Sequence, residues 1–373
     1  MKLTSLILSN DEPTGTRILL LVGIAWLPLA ILTLIDGTFY TTDVTMPFVR
    51  DVVPYARAFI AIPLLIMADN VIEPMMSKTV GYLRSSGVVP ESEHEHLHDA
   101  TERVAQLINN KWMQIMLALL AIIVSWLLQA DYVDMWTERD VTSWALHLED
   151  GQVDETLAGM WFLLITSPIV SFLLYRWVWR FIVWSIFLYW VSKLELELYA
   201  SHTDSAGGLG IIGYGQSLFG LIFMIMAALI SSELASNVLY EGENLVDTKL
   251  VILVFIGVSI FVIAAPLFLF TTKLVSLKRK SLADYGELQQ QISRDFHKHW
   301  IDDKAKDLVD SMHPSAMADY SAVYEVVSGM RVVPMHSRAV IVLGLVLLVP
   351  FLPLALTEQS IWDVLKMIGD SVH

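Results

Sequence analysis

Apolar runs of membrane-spanning length recur along the chain, separated by shorter polar stretches. A helix needs roughly 20 mostly apolar residues to cross the hydrocarbon core of a bilayer. Seven segments approach or meet this length, and the second also carries Arg57 and Asp69. The predicted spans are residues 18–35, 53–72, 113–130, 157–175, 211–230, 250–270 and 339–356.

An eighth apolar run, FIVWSIFLYWV from Phe181, has 11 residues and is too short to cross a membrane. Segment 176–200 around it is aromatic and basic at its start. We expect it either to lie in the headgroup plane, with its Trp and Tyr side chains anchored there, or to extend the fourth span.

The distribution of basic residues predicts the orientation. If the N-terminus is cytoplasmic and the short run does not cross, the inner segments are 1–17, 76–111, 176–206 and 272–338. They contain 19 of the 24 Lys and Arg residues. Basic residues concentrate in cytoplasmic loops, and the outer loop 131–156 is acidic. The sequence therefore predicts seven crossings, with the N-terminus inside and the C-terminus outside.

The predicted fold class is all-α: a polytopic membrane protein with about seven transmembrane helices and a cytoplasmic helical layer. Its organisation follows from the order of the spans. Residues 1–75 form an N-terminal arm and two spans, 76–111 a cytoplasmic helical segment, 112–175 two spans with the acidic outer loop, 176–210 the aromatic-basic helix and a glycine-rich turn, 211–270 two spans, 271–338 a second cytoplasmic helical segment, and 339–373 the last span and a short outer tail.

Composition supports the membrane class and narrows the chemistry. The chain is 55% hydrophobic and 17% charged, below the roughly 25% charged residues of soluble domains. The lack of cysteine excludes disulfides, thiolate metal sites and iron–sulfur clusters. A net charge of −15 argues against a nucleic-acid partner. With no HExxH, GxSxG or P-loop motif, we predict neither an enzyme nor a cofactor.

Six segments of the chain are distinctive when taken together. They are IAIPLLIMADNVIEP (60–74), YRWVWR (175–180), SHTDSAGGLG (201–210), SLADYGELQQQISRDFHKHW (281–300), HPSAMADYSAVYEVVSGMRVVP (313–334) and LVPFLPLALTE (348–358). They resemble a family of uncharacterised bacterial multi-pass membrane proteins, in which the loop usually reads His-Pro-Asp-x-Ala-Gly-Gly-Leu-Gly and a carboxylate ends the second span. Thr203 stands where the family usually has proline, and Asp69 where it usually has glutamate. The resemblance implies a bacterial inner-membrane location and no particular activity.

Two acidic groups near span ends are the candidate ion-path residues. Asp69 and Glu73 are four residues apart and share one helical face. Charge within a span usually marks a pathway or an ion pair, so they are expected either to bind a cation or to pair with inner Arg or Lys. Glu233 and Asn237 crowd the outer end of another span, where Arg57 is expected either to snorkel outward or to meet Glu233.

Three further groups are candidate binding residues. Arg176 and Arg180 share a face and are expected to bind anions or lipid headgroups, or simply to anchor the helix. His94 and His98 share a face and have a spacing that can hold a metal. The alternative is an ordinary solvent-exposed helix N-terminus, where such residues are common. The turn residues form either a ligand cradle or a rigid re-entry turn in which the aspartate caps the next helix: His202, Asp204, Gly207, Gly208 and Gly210.

These features favour a homo-oligomeric cation channel or carrier, whose path the acidic residues line or flank. The alternative is a non-transporting scaffold or signalling protein whose cytoplasmic helices bind a protein partner. A metal-dependent hydrolase using His202 and Asp204 is a third hypothesis. Expected partners are membrane lipids and further copies of the chain.

Overall fold

The computed structural model describes residues 13–138, 142–149, 152–240, 245–302 and 313–354. The N-terminal arm before residue 13, the tail after residue 354, and parts of the acidic outer loop and of the second inner helical segment lie outside these ranges. The described residues form the elements α1 (Thr14–Ile35), α2 (Val52–Ser85), α3 (His94–Ile108), α4 (Lys111–Glu138), β1 (Leu146–Glu149), β2 (Gln152–Glu155), α5 (Leu157–Lys193), α6 (Gly210–Ser217), α7 (Gly220–Tyr240), α8 (Leu245–Ala264), α9 (Thr271–His297), α10 (His313–Ser328) and α11 (Ser337–Leu348).

The all-α polytopic fold class is confirmed. Within the described ranges, six helices are long and apolar enough to cross a membrane, or seven if the bent pair Glu91–Ile108 and Lys111–Leu127 is taken as one span. The second half of that pair belongs to α4, the predicted third span. Two short antiparallel strands, β1 and β2, interrupt the helical pattern in the loop between α4 and α5.

The bundle has two ends, named here for the sides that the basic residues predict. At the inner end, the Asn70 amide donates to the Thr14 hydroxyl at the start of α1 (3.1 Å). At the outer end, the Tyr240 hydroxyl donates to the Arg50 carbonyl (3.2 Å). The last described helical residues pack there too, because Phe351 and Leu354 share an apolar cluster with Val238 near the end of α7. The chain thus begins and ends its described part at opposite ends.

Helix α5 resolves the two alternatives for segment 176–200. It runs without a break from Leu157 to Lys193, 37 residues, or about 55 Å at 1.5 Å per residue. A hydrocarbon core is about 30 Å thick, so the aromatic piece extends the fourth span beyond it. Trp184, Phe187 and Val191 in this extension are buried against the inner helices, and the chain is irregular after Lys193.

Three spans depart from regular α-helix at polar positions. Helix α2 contains a π-helical turn at Ala56–Ala61, and α5 contains one at Phe162–Thr166. Such turns occur mostly as single insertions and often at functional sites. The chain also breaks between α6 and α7, where buried Gln216 donates to the Ile263 carbonyl (2.8 Å).

Candidate functional site

Asp69 and Glu73 meet a single guanidinium group at the inner end of the bundle. Arg180 on α5 places Nη1 2.6 Å from Asp69 Oδ1 and Nη2 2.6 Å from Glu73 Oε1. The two carboxylates therefore do share one face of α2. The Asp69 side chain is 5% exposed, whereas that of Glu73 is 38% exposed, so Asp69 is the buried member of the pair.

Two more arginines complete what we call the inner charge cluster: Arg17, Asp69, Glu73, Arg176 and Arg180. Nη2 of Arg17 and Nη2 of Arg176 each lie 3.6 Å from Asp69 Oδ2, and both side chains are buried. Three guanidinium groups thus surround two carboxylates. The formal charges of these five residues sum to one positive charge.

An aromatic side chain fixes α5 against α2 at this level. The Trp177 indole nitrogen donates to the Leu65 carbonyl (2.8 Å). The guanidinium carbon of Arg180 lies 4.8 Å from the centre of the Trp177 ring, within the range of cation–π attraction. Burial of this tryptophan therefore helps to hold Arg180 in place over the two acids.

A cavity of about 640 Å³ opens beside the cluster, between α4 and α5. Arg176, Arg180 and Lys111 lie at its basic end. The remainder of its wall is largely apolar and runs along both helices toward the middle of the span. The other lining residues are Ile108, Asn109, Gln114, Ile115, Ala118, Ile122, Leu164, Ile165, Pro168, Ile169 and Phe172.

A second charged group lies near the outer end. Arg57 Nη2 is 2.9 Å from Glu233 Oε1, and Arg57 also donates to the Ser167 hydroxyl. Its guanidinium carbon lies 4.9 Å from the centre of the Phe162 ring. Of the two alternatives for Arg57, the contact with Glu233 is the one observed. Asn237 follows one turn later on α7, half-buried.

Buried apolar side chains separate the two charged groups along α2. On this helix the apolar side chains between Arg57 and Asp69 include several that are at most 1% exposed. These are Ala58, Ala61, Ile62, Leu65, Ile66 and Ala68.

The outer end also holds a buried acid, Asp51, that was not among the candidate residues predicted from the sequence. Asp51 precedes α2 and accepts hydrogen bonds from the Val53 backbone N–H (2.9 Å) and the Trp144 indole nitrogen (2.9 Å). Burial raises the pKa of Asp51 to about 6, although both hydrogen bonds act in the opposite direction. An aspartate directly before a helix is a helix-cap signal, but nothing in the sequence marks its distant indole partner.

The glycine-rich turn is closed by its own aspartate. The Asp204 carboxylate accepts from the backbone N–H groups of Ala206 (2.8 Å), Gly208 (3.2 Å) and Gly210 (2.8 Å). Burial alone would raise the pKa of Asp204, but these donors and nearby His202 bring it below its ordinary value. The position that a bound anion would take at the start of α6 is therefore filled by the chain itself.

Close packing accounts for the glycines of this region. Gly207 and Gly208 have φ of +68° and +96°, which other residues rarely adopt. A Cβ atom on Gly208 would lie 2.8 Å from Val88 Cγ2, and one on Gly213 would lie 1.5 Å from the Pro334 carbonyl oxygen. The turn thus joins three segments of the inner end.

The histidine candidates lie on α3 as expected, with partners of their own. His94 Nε2 is 3.1 Å from the Val89 carbonyl oxygen, and His98 Nε2 is 3.2 Å from Glu102 Oε1. Across the described ranges, no group of three or more His, Asp or Glu side chains is arranged to hold a metal ion.

Comparison with known proteins adds no relative to this picture. No family model, no curated protein and no solved structure matches the chain.

Proposed function

We propose that this multi-pass membrane protein binds an anionic membrane amphiphile in the cavity between α4 and α5. The observation that carries the proposal is the composition of the cavity wall, which has Lys111, Arg176 and Arg180 at one end and an apolar surface along the rest. An amphiphile with a negatively charged headgroup and a hydrocarbon chain has the same division of polarity.

Charge is the first argument. Three basic side chains, Lys111, Arg176 and Arg180, line one end of the cavity. A phosphate or carboxylate headgroup suits this end, because the planar fork of arginine matches the oxygens of such groups. This local positive charge stands against a net charge of −15 for the whole chain.

The opening of the cavity is the second argument. Ile115 is 51% exposed and Leu164 is 60% exposed, and both lie on predicted spans where their surroundings are lipid chains. A ligand therefore enters laterally from the bilayer. A volume of about 640 Å³ is within the roughly 300–1,000 Å³ typical of small-molecule sites.

Mass spectrometry of the intact detergent-solubilised protein tests the proposal. We expect one phosphatidylglycerol to bind more tightly than phosphatidylcholine of the same chains. Lys111→Gln should weaken phosphatidylglycerol binding about two- to fivefold, the range for an exposed charge, while Lys78→Gln is the matched control at the same end. Ala118→Phe should fill the cavity, with exposed Leu119→Phe as its control on α4.

Equal binding of phosphatidylglycerol and phosphatidylcholine would overturn the proposal. It would mean that the protein binds lipid without regard to the charge of the headgroup, as it binds the surrounding bilayer lipids. Inorganic phosphate provides the second arm. If it protects the protein from thermal unfolding as well as the lipid does, and Ala118→Phe has no effect, the site takes a free anion and the amphiphile is wrong.

A homo-oligomeric cation channel or carrier, the function expected from the acidic residues, stays a prediction. The carboxylates that motivated it lie 2.6–2.9 Å from arginine nitrogens, so a cation must displace a guanidinium to reach them. Cation flux into liposomes containing the purified protein tests it. Asp69→Asn with Glu73→Gln should change the flux if the prediction holds, and liposomes without flux above background would exclude it.

We also infer a bacterial inner-membrane location with a cytoplasmic N-terminus. The basic residues and the family resemblance support it. Separate fusions of a cytoplasmically active reporter at the N- and C-termini test the sidedness. An inactive N-terminal fusion would overturn the inferred sidedness, and an active C-terminal fusion would overturn the odd number of crossings. The alternative scaffold role also stays a prediction, and stoichiometric co-purification of a partner through residues 272–335 is its test.

A further inference from the structure

We propose that the ligand is a diacyl anionic glycerophospholipid, with one chain in the α4–α5 cavity and the second in a groove between α1 and α5. This inference rests on the proposed function and specifies its ligand class. It commits to a lipid with two chains, as opposed to a fatty acid or a single-chain lipid.

The groove is a second apolar recess on the lipid-facing side of α5, of about 1090 Å³. Its wall is almost entirely apolar, in contrast to the basic end of the cavity. One side comes from α1 and the other from the outer half of α5. The lining residues are Leu19, Leu20, Gly23, Ile24, Leu27, Pro28, Ile31, Leu32, Leu157, Met160, Trp161, Leu164 and Ile165.

The cavity and the groove adjoin on α5. Leu164 and Ile165 line both of them, so these two side chains stand between the recesses, on the part of α5 that lies between α1 and α4. A ligand with one chain in the cavity therefore has to pass only these two side chains to place a second chain in the groove.

Both recesses also start close to the inner charge cluster. Leu20 in the groove is three residues from Arg17, about 4.5 Å along the helix axis. Phe172 in the cavity is four residues from Arg176, about 6 Å. A headgroup held by Arg176 and Arg180 would thus have one apolar recess on each side of α5, which suits the two chains on one glycerol.

The groove contains a position where added bulk changes only the space for a chain. A Cβ atom on Gly23 would have no neighbour within 4 Å, so a larger side chain is accommodated without strain in the bundle. Gly257 on α8 is equally open and lines neither recess. The pair therefore offers a variant and its matched control.

The experiment compares phosphatidylglycerol with its single-chain lyso form, which has the same headgroup, on the full-length protein by intact mass spectrometry. We expect the diacyl lipid to bind at least about fivefold more tightly, and Gly23→Phe to remove that advantage, since overfilling a packed site costs at least this factor. Lyso-phosphatidylglycerol binding should be unchanged in Gly23→Phe, and Gly257→Phe should bind both lipids as the wild type does.

The outcomes separate this inference from the proposed function. If the two anionic lipids bind equally and Gly23→Phe changes neither, the second chain does not use the groove, yet a preference over phosphatidylcholine still supports the anionic site. If phosphatidylcholine binds as well as phosphatidylglycerol, the proposed function itself fails. Thermal unfolding of Gly23→Phe verifies that the variant is folded.

Discussion

Replacing Asp69 with asparagine should destabilise the fold more than removing the other carboxylate of the inner charge cluster, that of Glu73. Asp69 is 5% exposed and lies within 2.6–3.6 Å of nitrogens from three arginines. A neutral amide at this position would leave Glu73 as the one carboxylate of the cluster. Removing one partner of a buried ion pair costs about 3–5 kcal/mol, because the remaining charge is uncompensated, and we expect a loss of that size.

Glu73→Gln is the matched comparison. Its carboxylate lies 2.6 Å from the same arginine but is 38% exposed, so water screens the interaction. Exposed ion pairs contribute about 1 kcal/mol or less. Two substitutions that remove the same charge one helical turn apart should therefore differ severalfold in their cost.

Equilibrium unfolding in mixed detergent–SDS micelles, followed by tryptophan fluorescence, measures both free energies of unfolding. A third variant combining Asp69→Asn with Arg180→Gln removes a cation along with the acid, and it should lose less than the sum of the two single changes. Equal costs for Asp69→Asn and Glu73→Gln, or strict additivity in the double variant, would refute the reasoning, since either result means that the cluster is effectively solvated.

Two further changes probe the outer acid and the inner turn. Because burial raises the pKa of Asp51 from 3.8 to about 6, the fold loses stability as pH rises through that window, by about 3 kcal/mol in total. The stability advantage of Asp51→Asn over the wild type should thus grow between pH 5 and 7.5, and a constant difference in melting temperature would contradict this. Gly213→Ala should unfold the inner end, because its Cβ would overlap the Pro334 carbonyl, whereas Gly81→Ala in an open helical position should melt at or above the wild-type temperature.

The spans could be read from the sequence because each needs only a local property, namely a long apolar run. The same local pattern could not decide whether the run from Phe181 extends the fourth span, since length is counted between polar residues. Arg176 and Arg180 interrupt the apolar pattern, but they are buried against acids on another helix and do not end α5.

Charge partners could be narrowed by sequence but not assigned. The spacing of Asp69 and Glu73 correctly put both on one face, yet their common partner Arg180 is 111 residues from Asp69 along the chain. The Asp204 turn was more accessible, because the residues that it contacts lie within six positions. The cavity, by contrast, arises only from the packing of α4 against α5, and no local pattern predicts it.

The two charged groups differ in their balance of acidic and basic side chains, and this difference favours the inner one as the proposed ligand site. At the outer end Arg57 meets Glu233, and Asp51 adds a buried acid. An excess acid is neutralised by taking up a proton from water. At the inner end the basic groups are arginines, whose planar forks match phosphate and carboxylate oxygens, and the adjoining cavity opens toward lipid.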